Sequence, residues 1–215
     1  EAHFMRGNFV DANIALEKAY TQIQGNGQES IALCCDFLAQ RLSICMDIKM
    51  RNTFEERRKE LLQGHNTTWV NIFDSTCAYY YAVTGQTERI PALFGAHMLS
   101  TVNFLAPGRP MMEMIENQVF LSQKMYAKVI GRSETLLPVC EKMHYELVSL
   151  HVQIQTASAY AMLGKHHDAR QLLQKALGHA MPDGFLIPFV ENYNYIKDVL
   201  GSINSITPEP FTDRI

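Results

Sequence analysis

No window of this sequence approaches the roughly 20 consecutive apolar residues that a bilayer-crossing helix needs, and no charged-then-apolar signal peptide opens it. A membrane role is not expected. Basic charge is scarce as well. Nineteen Lys and Arg against 22 Asp and Glu leave a net charge of −3, and no Lys/Arg run stands out. Direct nucleic-acid contact is therefore not expected either. Catalytic signatures are missing: there is no P-loop, dinucleotide fingerprint, His-Glu-x-x-His, Gly-x-Ser-x-Gly or Cys-x-x-Cys. Five cysteines (Cys34, Cys35, Cys45, Cys77 and Cys140) follow no metal-ligand spacing and leave one unpaired in any disulfide scheme. They read as reduced thiols of a cytoplasmic protein, most of them packed as small hydrophobes. His144 and His151 fall two helical turns apart, and His166-His167 opens a helix. A metal would need further ligands converging on either pair, so both read as packing or solvent-exposed histidines. No enzyme activity, cofactor or metal is expected.

What is present is self-similarity. Gly164-Lys165-His166-His167-Asp168-Ala169-Arg170-Gln171-Leu172-Leu173-Gln174-Lys175-Ala176-Leu177 nearly repeats Gly7-Asn8-Phe9-Val10-Asp11-Ala12-Asn13-Ile14-Ala15-Leu16-Glu17-Lys18-Ala19-Tyr20. Each Gly suits a left-handed cap that ends one helix. Each Ala suits a close crossing onto the helix before. Ala157 and Tyr160 precede Gly164, and Ala78 and Tyr81 precede Gly85, at the spacing of a tetratricopeptide first helix. The expected fold is all-α, a right-handed superhelix of antiparallel tetratricopeptide-like hairpins. With 47% apolar residues, the chain can bury a substantial core.

Taken in order, Glu1 to Arg6 resemble the last turns of a helix that begins upstream. Residues 8–24 form the second helix of a truncated hairpin, broken at Gly25-Asn26-Gly27. A long helix runs from Ser30 to Met50. Thr53 and Glu56 form a capping box for a helix to Leu62, whose charge run from Glu55 to Glu60 reads as a solvated face. Trp69 to Thr84 is the next inner helix, and Pro91 and Gly95 interrupt its outer partner. Phe104 to Pro110 is a turn or extended crossing. Helix returns from Met111 to Ile130, breaks at Gly131 and resumes at Ser133, with Pro138 inside. Tyr145 to Leu163 leads into the later repeat. Ile187 to Ile203 closes the domain with Pro188 in its first turn. Residues 1–204 form the repeat domain and 205–215 a linker or docked tail.

The inner helices of such a solenoid line a concave groove. The phase of the pattern points Ser75, Tyr79, Gln118, Met125, Lys128, His151 and Ser158 into it, a mixture suited to a small polar ligand or a peptide.

From Phe104 onward a family resemblance enters. It rests on Phe104-Leu105-Ala106-Pro107-Gly108-Arg109-Pro110, the Gly131 break, the Ala157–Ala176 repeat, Met181-Pro182-Asp183-Gly184-Phe185, and Pro188-Phe189-Val190-Glu191-Asn192. In that order these segments resemble the large LuxR-type transcriptional regulators, the bacterial ATP-binding activators typified by the maltotriose-responsive activator of maltose genes. The resemblance implies a helical-repeat sensor that couples effector binding to self-association of the regulator. Neither the P-loop nor the helix-turn-helix of that family is present, so ATP and DNA binding are not assigned to these residues. Both ends fit excision of the middle module. The competing reading is a tetratricopeptide scaffold that binds a peptide or protein segment. That scaffold would show like-charged or amide side chains at repeated groove positions, which the seven groove residues do not. An uncapped end repeat would also let the chain pair with itself.

Overall fold

The computed structural model describes residues 1–23, 27–46, 48, 53–104, 106–206, 208 and 210–215. It is all-α, with no strand among the described residues. No helix among them is long and apolar enough to cross a membrane. The chain divides into two compact units, Glu1–Phe4 with Asn8–Phe104 and Met5–Gly7 with Leu105–Ile215.

The first unit contains most of α1 (Ala2–Met5), then α2 (Phe9–Ile23), α3 (Glu29–Cys45), α4 (Phe54–Gln63), α5 (Thr67–Val83) and α6 (Ala92–Gly95). Single 3-10 turns lie at Thr87–Arg89 and Leu99–Thr101. Helix α2 packs on α3, and both α3 and α4 pack on α5. Of the expected Gly25-Asn26-Gly27 break, Gly25 and Asn26 lie outside the described residues; α3 ends at Cys45, where Met46 turns extended, short of the expected Met50, which itself lies outside them. The capping box forms as the spacing predicts: the Thr53 hydroxyl accepts from the Glu56 N–H at 3.2 Å, and the Glu56 carboxylate accepts from the Thr53 N–H at 2.8 Å.

The charge run on α4 is not simply a solvated face. Arg57 donates to Asp36 at 2.9 Å and to Glu29, both on α3, and to Glu60 at 3.2 Å. Arg58 reaches Asp74 on α5. Carboxylates that α3 and α5 carry out of water need a cation, and α4 supplies it.

The second unit runs through α7 (Arg109–Ser122), α8 (Tyr126–Met143), α9 (Glu146–Met162), α10 (His166–Ala180), α11 (Ile187–Val190) and α12 (Tyr193–Ile206). Consecutive helices from α7 to α10 pack in pairs, and α9 also touches α7 and α12. Its core gathers Ile154, Ala157, Leu173, Ala176, Phe189 and Ile196. The repeat alanines Ala157, Ala169 and Ala176 are all buried, as close helix crossings require.

In this unit three expected boundaries move. Helix α7 begins at Arg109, because Pro110 occupies its first turn, where a missing N–H costs nothing. A 3-10 turn at Ala106–Gly108 precedes it, and Leu105 lies outside the described residues. The expected break at Gly131 is absent: α8 runs through both Gly131 and Pro138, and the break falls at Gln123–Met125. Finally, the closing helix splits at Asn192, whose side-chain amide donates to the Pro188 carbonyl at 2.9 Å. The segment after α12 is docked, with Phe211 buried against Phe189, their ring centres 6.1 Å apart.

One turn recurs. After α9, the Lys165 N–H reaches the Tyr160 carbonyl at 2.9 Å and the Gly164 N–H reaches Ala161 at 3.0 Å, with Gly164 at φ 74°. This is a Schellman closure, and Gly85 repeats it after α5. Lys124 and His144 repeat it after α7 and α8 at φ 61° and 54°, without glycine. No glycine therefore marks the break after α7. A Cβ on Gly164 would meet nothing within 4 Å, so its cost is purely the backbone's. Gly164→Ala should destabilise by about 1 kcal/mol, whereas Lys124→Gly should be neutral or stabilising. Urea unfolding of the two variants measures this, and equal losses at both sites would contradict it.

Candidate functional site

In the first unit, α4, α5, the 3-10 turn at Thr87–Arg89 and the start of α6 enclose a cleft of about 450 Å³. Four helical positions on α5 build its wall. Asn71, Asp74, Cys77 and Tyr81 recur at helical spacing and share one face of α5. Across from them α4 presents Phe54, Glu55 and Arg58. Pro91 stops the chain from continuing as a helix, and the resulting turn brings Arg89, Ala92 and Leu93 to the third side.

Two guanidinium groups dominate its electrostatics. Arg58 grips Asp74 with two parallel hydrogen bonds, Nε at 2.7 Å and Nη2 at 3.0 Å. Asp74 is 7% exposed at its side chain and Arg58 46%. The hydrogen bonds to Asp74 raise the Arg58 pKa further, so its charge is permanent. Arg89 donates to Glu55 at 3.3 Å and to Gln86 at 3.2 Å. Its guanidinium lies 4.6 Å from the centre of the Tyr81 ring, close enough for a cation–π contact. Burial pushes the Tyr81 phenol up to about 12, against the pull of Arg89. The hydroxyl is thus a neutral donor at any physiological pH. Burial, then the Asp74 charge, pushes the Cys77 thiol up as well, so it is not a thiolate nucleophile. Phe54 meets the Tyr81 ring at 5.3 Å and the Tyr80 ring at 5.1 Å. The cleft therefore has an aromatic wall and hydrogen-bond donors, its two guanidinium groups each paired with a carboxylate. That suits binding of a small molecule.

The expected groove residues fall elsewhere. Ser75 and Tyr79 belong to the first unit and Gln118, Met125, Lys128, His151 and Ser158 to the second. Ser75 and Tyr79 are fully buried. The Ser75 hydroxyl donates to the Ile72 carbonyl, and Tyr79 packs edge-on to Phe37 with the Arg41 guanidinium 5.5 Å from its ring. Gln118, His151 and Ser158 are buried too, with Ser158 bonded to the Ile154 carbonyl of its own helix. Met125 packs beside Phe120 and Val129, and Lys128 is exposed with its ammonium 5.3 Å from the Phe120 ring. Gln118 belongs to an interior amide chain: Gln155 donates to the Gln118 side-chain oxygen at 2.9 Å and to the Met114 carbonyl at 3.1 Å, and Gln118 donates to Asn192 at 3.1 Å. His144 caps α8 and His151 lies within α9, so the two do not share a helix. Among the described residues no three His, Cys, Asp or Glu side chains converge as metal ligands would. None of the five cysteines is joined in a disulfide.

Sequence reasoning missed the cleft although part of its signal was visible. Asn71, Asp74 and Tyr81 repeat on α5 beside the groove phase that singled out Ser75 and Tyr79. Glu55 and Arg58 share a face in the charge run that reads as solvated. Nothing local places Arg89 over Tyr81.

Removing Arg58 leaves the Asp74 carboxylate buried and unpaired, so Arg58→Ala should cost about 2 kcal/mol, the half-exposed guanidinium being partly screened. Arg89→Ala should cost under about 1 kcal/mol. In the second unit, Gln155→Leu leaves the buried Gln118 side-chain oxygen without its donor and removes the second bond to the Met114 carbonyl, and should cost about 1–3 kcal/mol. Chemical denaturation ranks the three, and an Arg89→Ala loss as large as that of Arg58→Ala would contradict this account.

Compared with known proteins, this chain matches no family model, no curated protein and no solved structure.

Proposed function

We propose that this chain is the ligand-sensing helical-repeat module of a cytoplasmic LuxR-type transcriptional regulator, built as a right-handed superhelix of tetratricopeptide-like hairpins. It takes a small polar effector and couples its binding to self-association of the regulator, while nucleotide and DNA contacts belong to other parts of that regulator. The observation that carries this reading is the α4–α6 cleft: a volume within the range of small-molecule sites, lined by aromatic rings and by guanidinium donors that still have unused N–H groups. The order of segments from Phe104 to Asn192 supports the choice of family. In this reading the cleft binds and does not catalyse. Effector binding acts by population shift, favouring the self-associating state over the resting one.

The test is a thermal-denaturation panel of sugars, carboxylates, amino acids and nucleotides, followed by light scattering with any hit. A ligand at a hundred times its dissociation constant should stabilise the chain by about 2.7 kcal/mol. It should also change the concentration dependence of assembly, and Arg89→Gln should abolish both effects. If no small molecule shifts the transition while an immobilised peptide library binds, the scaffold reading replaces this one.

A further inference from the structure

The same cleft carries a narrower conclusion about its ligand, which rests on the reading of the cleft as an effector site. Its donors and acceptors are unevenly used. Both oxygens of Asp74 are taken by Arg58 through Nε and Nη2, so Arg58 keeps Nη1 uncommitted. Arg89 uses Nη1 and Nη2 and keeps Nε. The Tyr81 hydroxyl and the Asn71 amide, both at the cleft, make no side-chain hydrogen bond within the described residues. The Asn71 amide oxygen and the Tyr81 oxygen can also accept, but the uncommitted charged groups are the guanidinium donors of Arg58 and Arg89, and a ligand that answers them must bring acceptors.

The two internal carboxylates differ sharply. Asp74 is enclosed and doubly bonded. Glu55 meets Arg89 through a single 3.3 Å contact, with 74% of its side chain exposed and 47% of that of Arg89. An exposed pair of this kind is worth little and opens readily. Arg58 and Arg89 against Asp74 and Glu55 leave the cleft formally neutral. Once Glu55 turns into water, one positive charge is uncompensated. A single negative charge restores the balance, whereas a dianion would face Asp74 with its second. Phe54, Tyr81, Pro91 and Leu93 supply the apolar part of the lining.

We propose that the cleft binds a small monocarboxylate with an aromatic or branched apolar body, and that Glu55 holds the place on Arg89 which the ligand's carboxylate takes. Binding is then an exchange of one carboxylate for another on the same guanidinium. Because the Arg89–Glu55 pair ties the first turn of α4 to the 3-10 turn before α6, the exchange also releases that tie. Arg89 serves as carboxylate anchor, Arg58 as second donor, and Glu55 as an intramolecular competitor.

The competitor role has a signature that ordinary site residues lack. Isothermal titration calorimetry would compare phenylacetate, indole-3-acetate and 4-methylpentanoate with phenylacetamide, a neutral isostere, and phenyl phosphate, a dianion. At least one carboxylate should bind, and the matching amide and the phosphate should each bind about tenfold or more weakly, the worth of one charge-assisted pair. Glu55→Gln, a change at an exposed position, should tighten carboxylate binding several-fold, and Arg89→Gln should abolish it while circular dichroism shows both variants folded. Raising salt should weaken binding to the wild type. If no carboxylate binds, if the amide binds equally well, or if Glu55→Gln leaves the affinity unchanged or lowers it, the proposal is overturned. Carboxylate binding with this pattern but without any change in self-association would uphold it and sink the sensing function instead. A different ligand class that binds the cleft and alters assembly would do the reverse.

Discussion

A helix with no face left for water must settle its polar side chains inside the fold, and this constraint governs both units. Residues 73–79 of α5, 114–121 of α7 and 150–159 of α9 are buried without interruption, yet they include acids, amides and hydroxyls. Most do so by class, although the buried Asn117 amide makes no side-chain hydrogen bond among the described residues. Hydroxyls turn back on their own helix, as Thr76 does to Phe73 and Thr156 to Val152. Amides chain together through Gln155, Gln118 and Asn192. Carboxylates draw cations from the neighbouring helix: Glu116 takes Arg132 of α8, and Asp74 takes Arg58 of α4. An enclosed charge left alone would cost several kcal/mol, so these pairings fix which face each outer helix presents.

The cleft is a consequence of that rule. Asp74 pins α4 in place through Arg58, and the pinned helix carries Phe54 and Glu55 to the same edge. Pro91 then prevents a continuous helix in the segment after α5, which leaves room beside α5. Residues of the short turns found there, Arg89 among them, line the recess. Arg57 shows the contrasting outcome on the same helix. Its guanidinium is consumed by Asp36, Glu29 and Glu60 and joins α3 to α4. Two adjacent arginines in one charge run therefore have different roles, because successive helical positions point about 100° apart.

Much of the helical plan was legible beforehand. The capping box at Thr53, the left-handed glycines after α5 and α9 and the buried alanines of the later repeat all have local chemical causes that short stretches of sequence carry. The break after α7 did not, because Lys124 takes the left-handed conformation without a glycine to mark it, while Gly131 marks a turn that never forms. The same limit explains the groove residues. Helical phase told which side of an inner helix Ser75, Tyr79, Gln118, His151 and Ser158 occupy, but not that neighbouring helices would cover that side.

What the sequence by itself determined is the all-α class, the approximate placing of most helices and the turn chemistry that separates them, since periodicity, caps and backbone preferences act over a few residues. Only the tertiary structure decided which polar side chains are enclosed, that Arg58 and Arg57 leave the solvated run for different partners, and that Arg89 reaches Tyr81 and Glu55 across the cleft. Those outcomes depend on which helix packs against which. Contacts between residues 16 to 34 positions apart, such as Arg58 with Asp74 and Glu55 with Arg89, leave no periodic trace in the chain.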